Sequence, residues 1–176
     1  MYPSPILLPL LLLLLSVAHA TVDETCWVAA ASHYSINYGF CTTALRGDPG
    51  SETASWNELG LTGAQLCLDD AVRIRSKIGD MIAKGKFSQK MKGMLQMCSD
   101  EVFSSQIDLL TAAVGLFKSG NFSGAMANID TVRGRANSCS DIFFEGGEDD
   151  VLKQDESHLD ELTRLALFLI SPLKGR

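Results

Sequence analysis

Proline is scarce in the body of this 176-residue chain, and charged residues are absent from its first 20 positions. No proline occurs between Pro49 and Pro172, and no alternating apolar pattern persists over that stretch. Because proline breaks helices and alternation marks half-buried strands, both absences favour long helices over a sheet. The composition therefore predicts an all-α fold.

The arrangements of residues that enzymes commonly use are also missing. The sequence has no Gly-x-Ser-x-Gly motif, no paired metal-ligand spacing and no glycine-rich phosphate loop. His33 and His158 are the histidines beyond residue 20, and neither lies in a motif that would pair it with a nucleophile. We expect no catalytic residue, no metal site and no cofactor. The net charge of −6 also disfavours nucleic acid as a partner.

The first 20 residues predict a signal peptide. Residues 6–15 form an apolar run broken only by Pro9, and Ala18-His19-Ala20 supplies the small-x-small pattern of a cleavage site. The alternative, a membrane-spanning helix, needs about 20 apolar residues, and the prolines of this segment argue against it. No second apolar run of that length follows. We therefore predict a secreted product whose mature form has no membrane segment.

The mature chain divides into a short N-terminal part and a longer body. Residues 24–46 contain two short helix-forming segments separated by Asn37-Tyr38-Gly39, and the turn-forming residues Asp48-Pro49-Gly50-Ser51 follow as a linker. We predict a helical hairpin and linker over residues 21–50 and a bundle over residues 51–176. Together they form one domain, residues 21–176.

Apolar residues recur at steps of three and four along four segments of the body, which is the spacing of amphipathic helices. These segments run from near Glu58 to Ala83, from Ser88 to Ser119, from Phe122 into Gly146-Gly147, and from Leu159 to Leu173. Short connections between long helices make consecutive helices antiparallel. The pattern predicts an up-down-up-down four-helix bundle.

Five cysteines in a secreted chain allow up to two disulfides and leave one thiol over, and the sequence alone does not say which. Helix length offers one test. Cys98 lies 23 residues before Asn121 and Cys139 lies 18 residues after it. At about 1.5 Å per residue, two antiparallel helices would bring both cysteines to within ~7 Å of the same level. A bridge between the second and third bundle helices fits these lengths.

Cys67, on the first bundle helix, is expected to be a small buried residue.

A set of residues spread over the mature chain forms a longer motif. It combines a first cysteine, a Tyr-x-Phe-Cys segment followed by Leu and Asp-Pro, a Leu-Gly-Leu segment and two further cysteines: Cys26, Tyr38, Phe40, Cys41, Leu45, Asp48, Pro49, Leu59, Gly60, Leu61, Cys98 and Cys139-Ser140-Asp141-Ile142-Phe143. This motif resembles the plant invertase and pectin methylesterase inhibitor family over essentially the whole mature chain. The wide spacing of Cys26 and Cys41 is most similar to pollen-type invertase inhibitors.

The resemblance implies a disulfide pairing and a function. It pairs Cys26 with Cys41, stapling the hairpin, and Cys98 with Cys139, which leaves Cys67 as the free thiol. Members of the family have no catalysis of their own; they bind an invertase or a pectin methylesterase and cover its active-site cleft. We therefore expect an inhibitor secreted to the apoplast or cell wall, with the vacuole as another destination. The alternative is a secreted helical-bundle protein with an interaction or structural role and no enzyme target.

The turn between the second and third bundle helices is the expected target-binding site. Invertase inhibitors of the family carry Pro-Lys-Phe there, and the lysine reaches acidic residues of the invertase; this chain has Gly120-Asn121-Phe122 at the matching place. A neutral amide offers no charge to the two carboxylates of a glycosidase site. Asn121-Phe122-Ser123 is also an N-glycosylation sequon, so we expect a glycan at Asn121 and no insertion of a lysine. The alternative is an unused sequon, with inhibition through other contacts.

Two further surfaces follow from the resemblance. Inhibition of pectin methylesterase uses the flank of the second to fourth bundle helices. The acidic run before the fourth helix would either steer association with a basic esterase or solvate a loop: Glu145, Glu148, Asp149 and Asp150. Some members dimerise through the hairpin, so we expect Trp27 and Tyr34 to present an exposed face for a homodimer.

Overall fold

The computed structural model describes residues 21–174, and no strand occurs in that range. The helices, numbered in chain order, are α1 (Val22–Ala30), α2 (Tyr38–Arg46), α3 (Trp56–Lys84), α4 (Gln89–Met97), α5 (Ser104–Lys118), α6 (Phe122–Arg133), α7 (Ser138–Gly146) and α8 (Lys153–Ile170). The all-α prediction is confirmed. The predicted signal peptide lies outside the described residues. Among residues 21–174, no helix has both the length and the apolar character needed to cross a membrane.

Helices α1 and α2 form the N-terminal hairpin. Thr21 and Glu24 cap the start of α1 reciprocally, and the Asn37 side chain accepts the Phe40 N–H at 2.9 Å to start α2. The Arg46 guanidinium then bonds Asp23 of α1 and Glu52, which follows α2, both at 2.8 Å. One arginine thereby joins both hairpin helices to the 3₁₀ turn of Pro49–Thr53 that follows them.

Helix α3 is the longest element, with 29 residues. It begins two residues before the predicted start at Glu58, because Ser55 and Glu58 form a capping box ahead of it. It ends at Lys84, one residue beyond the prediction, with Gly85 after it in an extended conformation. The first predicted bundle helix is confirmed within the usual error of helix ends.

The second predicted bundle helix is continuous but not uniformly α-helical. It comprises α4, a π-helical segment at Cys98–Phe103, and α5. A π segment accommodates extra chain in the helix and rotates the faces on either side of it. Cys98 and Phe103, at the two ends of this segment, are both buried in the core. The apolar spacing predicted the helix but not its π segment.

The third predicted bundle helix, in contrast, is broken. Helix α6 ends at Arg133, residues 134–137 form tight turns, and α7 begins at Ser138. In the break, the N–H groups of Arg135 and Ala136 donate to carbonyls three residues back, and the Gln106 amide donates to the Arg135 carbonyl at 3.3 Å. The prediction of one helix through Cys139 was therefore wrong, because tight-turn hydrogen bonds and the Gln106 side chain of α5 satisfy polar groups that the break exposes.

The four long elements pack as a ring in which α3 contacts α5 and α8, and α6 contacts α5 and α8. Consecutive elements run antiparallel, which confirms the predicted up-down-up-down bundle. Helices α3 and α8 approach each other closely at Gly63. A Cβ on Gly63 would lie 3.1 Å from the Ala166 Cα and 3.1 Å from the Leu169 side chain. The absence of a side chain at Gly63 permits this spacing.

The hairpin packs on the bundle through a second apolar cluster. Cys26, Ile36 and Leu45 of the hairpin share this cluster with Leu165 and Leu169 of α8, and all five are buried. The ring of Phe168 also receives Trp56 edge-on at 5.8 Å and Tyr34 at 6.4 Å. Helix α8 therefore belongs to both cores.

The α3–α8 contact can be tested with the same substitution at two glycines of α3. Gly63→Leu should lower the free energy of unfolding by about 1–3 kcal/mol, because the new side chain overpacks against α8. Gly79 is exposed, and a Cβ there meets nothing within 4 Å. Gly79→Leu should raise the stability by up to about 1 kcal/mol through helix propensity. Urea unfolding measures both; equal effects of the two variants would contradict the close approach.

Candidate functional site

The turn between α5 and α6, here called the tip (Gly120, Asn121 and Phe122), is closed by backbone hydrogen bonds. Gly120 has a φ of +80°, a conformation that glycine adopts without strain. The Gly120 N–H donates to the Phe117 carbonyl and the Asn121 N–H to the Leu116 carbonyl, both at 2.9 Å. These two bonds form a Schellman motif, so the tip ends α5 in a fixed geometry.

Asn121 also starts the next helix. Its side-chain oxygen accepts the Gly124 N–H at 2.9 Å, which makes it the N-cap of α6. The residue is exposed and neutral, and its amide oxygen is engaged by the helix that it caps. The tip therefore presents an ordered, neutral amide at its centre.

Phe122 differs from its neighbours in the tip because its ring turns toward the bundle. It is half-buried and lies edge-on to Phe117 at a centroid distance of 4.9 Å. Gly120, Asn121 and Ser123 are exposed. The structure thus brings the three predicted tip residues together but leaves Asn121 as the main side chain available to a partner.

One cation near the tip was not singled out by the sequence. Lys118, the last residue of α5, lines a depression of about 410 Å³ together with Asp48, Thr62 and Asp69. Lys118 shares this depression with two carboxylates because α5 packs on α3. Spacing along the sequence carried no signal for it.

The cysteines lie in two separate parts of the molecule. Cys26 is bridged to Cys41 with Cα atoms 5.6 Å apart, between α1 and α2. Cys98 is bridged to Cys139 with Cα atoms 5.5 Å apart, from the π segment to α7. Both separations are normal for disulfides. Because α7 is separate from α6, the second bridge fastens the short helix beyond the break to the bundle.

Cys67 is a buried free cysteine in the main core. Burial raises the pKa of its thiol far above the ordinary value, with the charge of Asp70 adding to the effect. A thiol held neutral in this way is a poor nucleophile. Within residues 21–174, no group of three or more His, Cys, Asp or Glu side chains is arranged to hold a metal ion.

His158 lies in a polar network between α3 and α8. Its Nδ1 is 3.1 Å from a carboxylate oxygen of Asp70, and its ring meets Phe40 of the hairpin edge-on. In the same network, Arg73 and Lys77 bind Asp155. Burial opposes ionisation of Asp155, but hydrogen bonds from Lys77 and Arg73 outweigh it and hold its pKa below the ordinary value. These contacts join α3 to α8. The other histidine of the mature chain, His33, is exposed and stacks on Tyr34.

The acidic run before α8 divides into exposed and engaged residues. Glu145 and Asp149 are exposed. Glu148 approaches Lys90 at 3.9 Å, and Asp150 accepts hydrogen bonds from the Ser140 hydroxyl and the Leu152 N–H. Only part of the run is therefore free to face a partner.

The hairpin presents a small apolar surface. Trp27 is 71% exposed, and with Val28 and Tyr38 it lines a depression of about 410 Å³ bordered by Asp23 and Glu24. Tyr34, expected on the same face, is instead half-buried because it packs on Phe168. That expectation was wrong for Tyr34 because α8 lies beneath this part of the hairpin.

Comparison with known proteins places these features in one family. The model of the family described as "Plant invertase/pectin methylesterase inhibitor" matches residues 20–169. A protein of Platanus acerifolia named "Putative invertase inhibitor" is 30% identical over 163 residues, which are 91% of this chain and 89% of that protein. A protein of Platanus orientalis with the same name is 27% identical over 150 residues, covering 84% and 86%.

The role of Asn121 as a helix cap can be tested by two substitutions. Asn121→Ala removes the acceptor for the Gly124 N–H and should lower the free energy of unfolding by about 1 kcal/mol. Asn121→Asp keeps an acceptor and should cost less than about 0.5 kcal/mol. Thermal or urea unfolding of protein made without glycosylation gives the comparison. Equal losses in the two variants would show that the cap contributes nothing.

Proposed function

Because the chain belongs to the plant invertase/pectin methylesterase inhibitor family, we propose that it is a secreted inhibitor of one of these two enzymes. It acts by covering the active-site cleft of the target and performs no catalysis itself. The observation that carries the proposal is the family match across residues 20–169. The names of the two relatives support invertase as the first target to test, with pectin methylesterase as the second.

The proposed architecture follows the predicted boundaries. Residues 1–20 act as a signal peptide, so the mature inhibitor domain is residues 21–176, with the hairpin and linker over 21–50 and the bundle over 51–176. Secretion leads to the apoplast or cell wall, with the vacuole as another destination. The two disulfides support this proposal, because such bridges persist in oxidising compartments.

The proposed mode of binding does not insert a lysine. Asn121 supplies a neutral amide that is already used to cap α6, and the Phe122 ring faces Phe117. A carbohydrate chain on Asn121 would widen the tip further and keep it out of a narrow pocket. Contact through the bundle flank is the remaining mode, and a specific interface of that kind needs roughly 1,600 Å² of total buried surface.

Inhibition assays with Ser123→Ala as the glycan-free partner of the wild type test this mode. Ser123 is exposed and makes no contact that the cap requires, so the substitution removes the sequon and leaves Asn121 in place. If the tip is not inserted, loss of the glycan should change the inhibition constant by less than about threefold, or about 0.7 kcal/mol.

Both variants are assayed against an acid invertase and a pectin methylesterase. Inhibition of either enzyme supports the proposed function. Failure with both enzymes would favour a secreted interaction or structural protein without an enzyme target. The proposed mode would be contradicted if the glycosylated protein inhibits invertase with a nanomolar inhibition constant and Ser123→Ala lowers that constant greatly. The proposed function would remain intact in that case.

We also propose that the hairpin surface around Trp27 supports a homodimer. Trp27 and Val28 are the most exposed large apolar side chains of the hairpin. Trp27→Ser should abolish a concentration-dependent dimer in size-exclusion chromatography with light scattering. Val72→Ser removes an apolar side chain that is 48% exposed on α3 and serves as the control. A wild type that is monomeric at every concentration would refute the dimer.

A further inference from the structure

The connection between α7 and α8 is held by one serine and two carboxylates, here called the Ser140 clamp (Ser140, Asp150 and Glu156). The Ser140 Oγ lies 2.5 Å from a carboxylate oxygen of Asp150 and 2.7 Å from one of Glu156. Ser140 is in the first turn of α7, Asp150 lies in the connection and Glu156 is on α8. The clamp therefore joins three successive segments beside the Cys98–Cys139 disulfide.

The number of hydrogens in the clamp sets its protonation state. A serine hydroxyl has one hydrogen and can donate it to one carboxylate, whereas an ionised carboxylate has none to donate. If both carboxyl groups were ionised, one of the two short contacts would bring a carboxylate oxygen against the Ser140 Oγ with no hydrogen between them, and their lone pairs would repel. Both contacts are hydrogen bonds only when one carboxyl group carries a proton and donates it to the Ser140 Oγ.

Glu156 is the group suited to hold that proton. It is 3% exposed, and it accepts the Cys139 and Ser140 N–H groups at 3.0 and 3.2 Å. Burial, with a smaller contribution from the Asp150 charge, raises the pKa of Glu156 to about 7 against the lowering effect of its hydrogen bonds from the Ser140 hydroxyl and from these N–H groups. Asp150 is only half-buried and also accepts the Leu152 N–H at 2.9 Å.

Two cations line a cavity beside Ser140, and neither forms an ion pair with Glu156. Arg133 of α6 and Lys153 of α8 line a cavity of about 410 Å³ with Ser140. Arg133 pairs with Asp130, and within the described residues no ion pair joins Glu156 to any cation. The other charged groups on these elements are anionic or paired: Asp141 on α7, Asp155 with Arg73 and Lys77, and Asp160 with Arg164. Among the described residues, neither Asp150 nor Glu156 therefore forms an ion pair with a cation.

We propose that the Ser140 clamp is a pH-sensitive device in which a proton shared between Glu156, Ser140 and Asp150 fastens α8 to α7. In mildly acidic surroundings the proton is present and the clamp is closed. Toward neutral pH the proton leaves, the two carboxylates repel across Ser140, and the connection before α8 loosens. The device concerns the fold itself and does not depend on which enzyme is the target.

The direction of the effect follows from linkage. Glu156 binds its proton more tightly in the folded chain, so this contribution to stability is fully present below the ordinary pKa of 4.5. It is lost as the pH rises through the folded value of about 7. Across that window the folding equilibrium constant should fall by roughly a hundredfold from this group alone. Above about pH 4.5 Asp155 stays ionised, so its opposite contribution does not interfere.

Urea unfolding of the disulfide-intact mature chain between pH 4.5 and 8 tests the device. Glu156→Gln keeps the shape of the side chain and removes its titratable group. The factor by which the folding equilibrium constant falls between pH 4.5 and 7 should therefore be at least tenfold smaller than in the wild type. Asp150→Asn places an amide N–H donor opposite the Ser140 Oγ, which leaves the hydroxyl hydrogen of Ser140 for Glu156. This variant should also reduce the loss of stability between pH 4.5 and 7. Asp149→Asn, at the exposed neighbouring carboxylate, is the matched control and should keep the wild-type profile.

The mature chain keeps His33 and His158 in every variant, so any contribution of these histidines to the pH profile is the same in all of them. A ¹³C titration of the Glu156 carboxyl in the wild type adds a direct reading of its proton. A midpoint several tenths of a pH unit or more above 4.5, together with flattened profiles in Glu156→Gln and Asp150→Asn, supports the device. A midpoint at the ordinary value, or an unchanged profile in either variant that folds, overturns it. If Glu156→Gln does not fold, Asp150→Asn and the titration decide the question.

Discussion

The burial of the C-terminal part of α8 on all sides is the constraint on which the rest of the structure depends. Every residue from Leu165 to Ile170 is buried, which no single face of an amphipathic helix achieves. One side of α8 packs in the bundle, where Gly63 allows α3 to approach Ala166, and the other side supports the hairpin through Phe168 and Leu169. The bundle and the hairpin are thus one packed unit.

The two ends of the bundle have different constructions. At one end, the tip is closed by backbone hydrogen bonds around Gly120 and by the Asn121 cap, with no covalent constraint. Toward the other end, the Cys98–Cys139 disulfide and the Ser140 clamp hold α7 against the π segment and α8. Both ends are therefore ordered before any partner binds, and this order limits the entropic cost of association.

Charge in this protein serves mainly to join elements. Arg46 links the hairpin helices to the linker, and Asp155 links α8 to α3. Asp150 and Glu156, which in the sequence look like part of an acidic run and an ordinary helix N-terminus, are both engaged with Ser140. The exposed acids Glu145 and Asp149 remain as the charges of this run that a basic partner would meet.

The sequence by itself determined the helical class, the four bundle segments and the place of the tip. The absence of proline, the apolar spacing and the glycine at residue 120 act locally, so they can be recognised without knowing the fold. Only the tertiary structure decided the break after Arg133, the inward turn of Phe122 and the burial of Tyr34. Each depends on a partner distant in sequence or supplied by packing, namely Gln106, Phe117 and Phe168. The raised pKa of Glu156 was likewise decided by tertiary structure, because it depends on burial and on Ser140 and Asp150, which only the folded chain brings to Glu156.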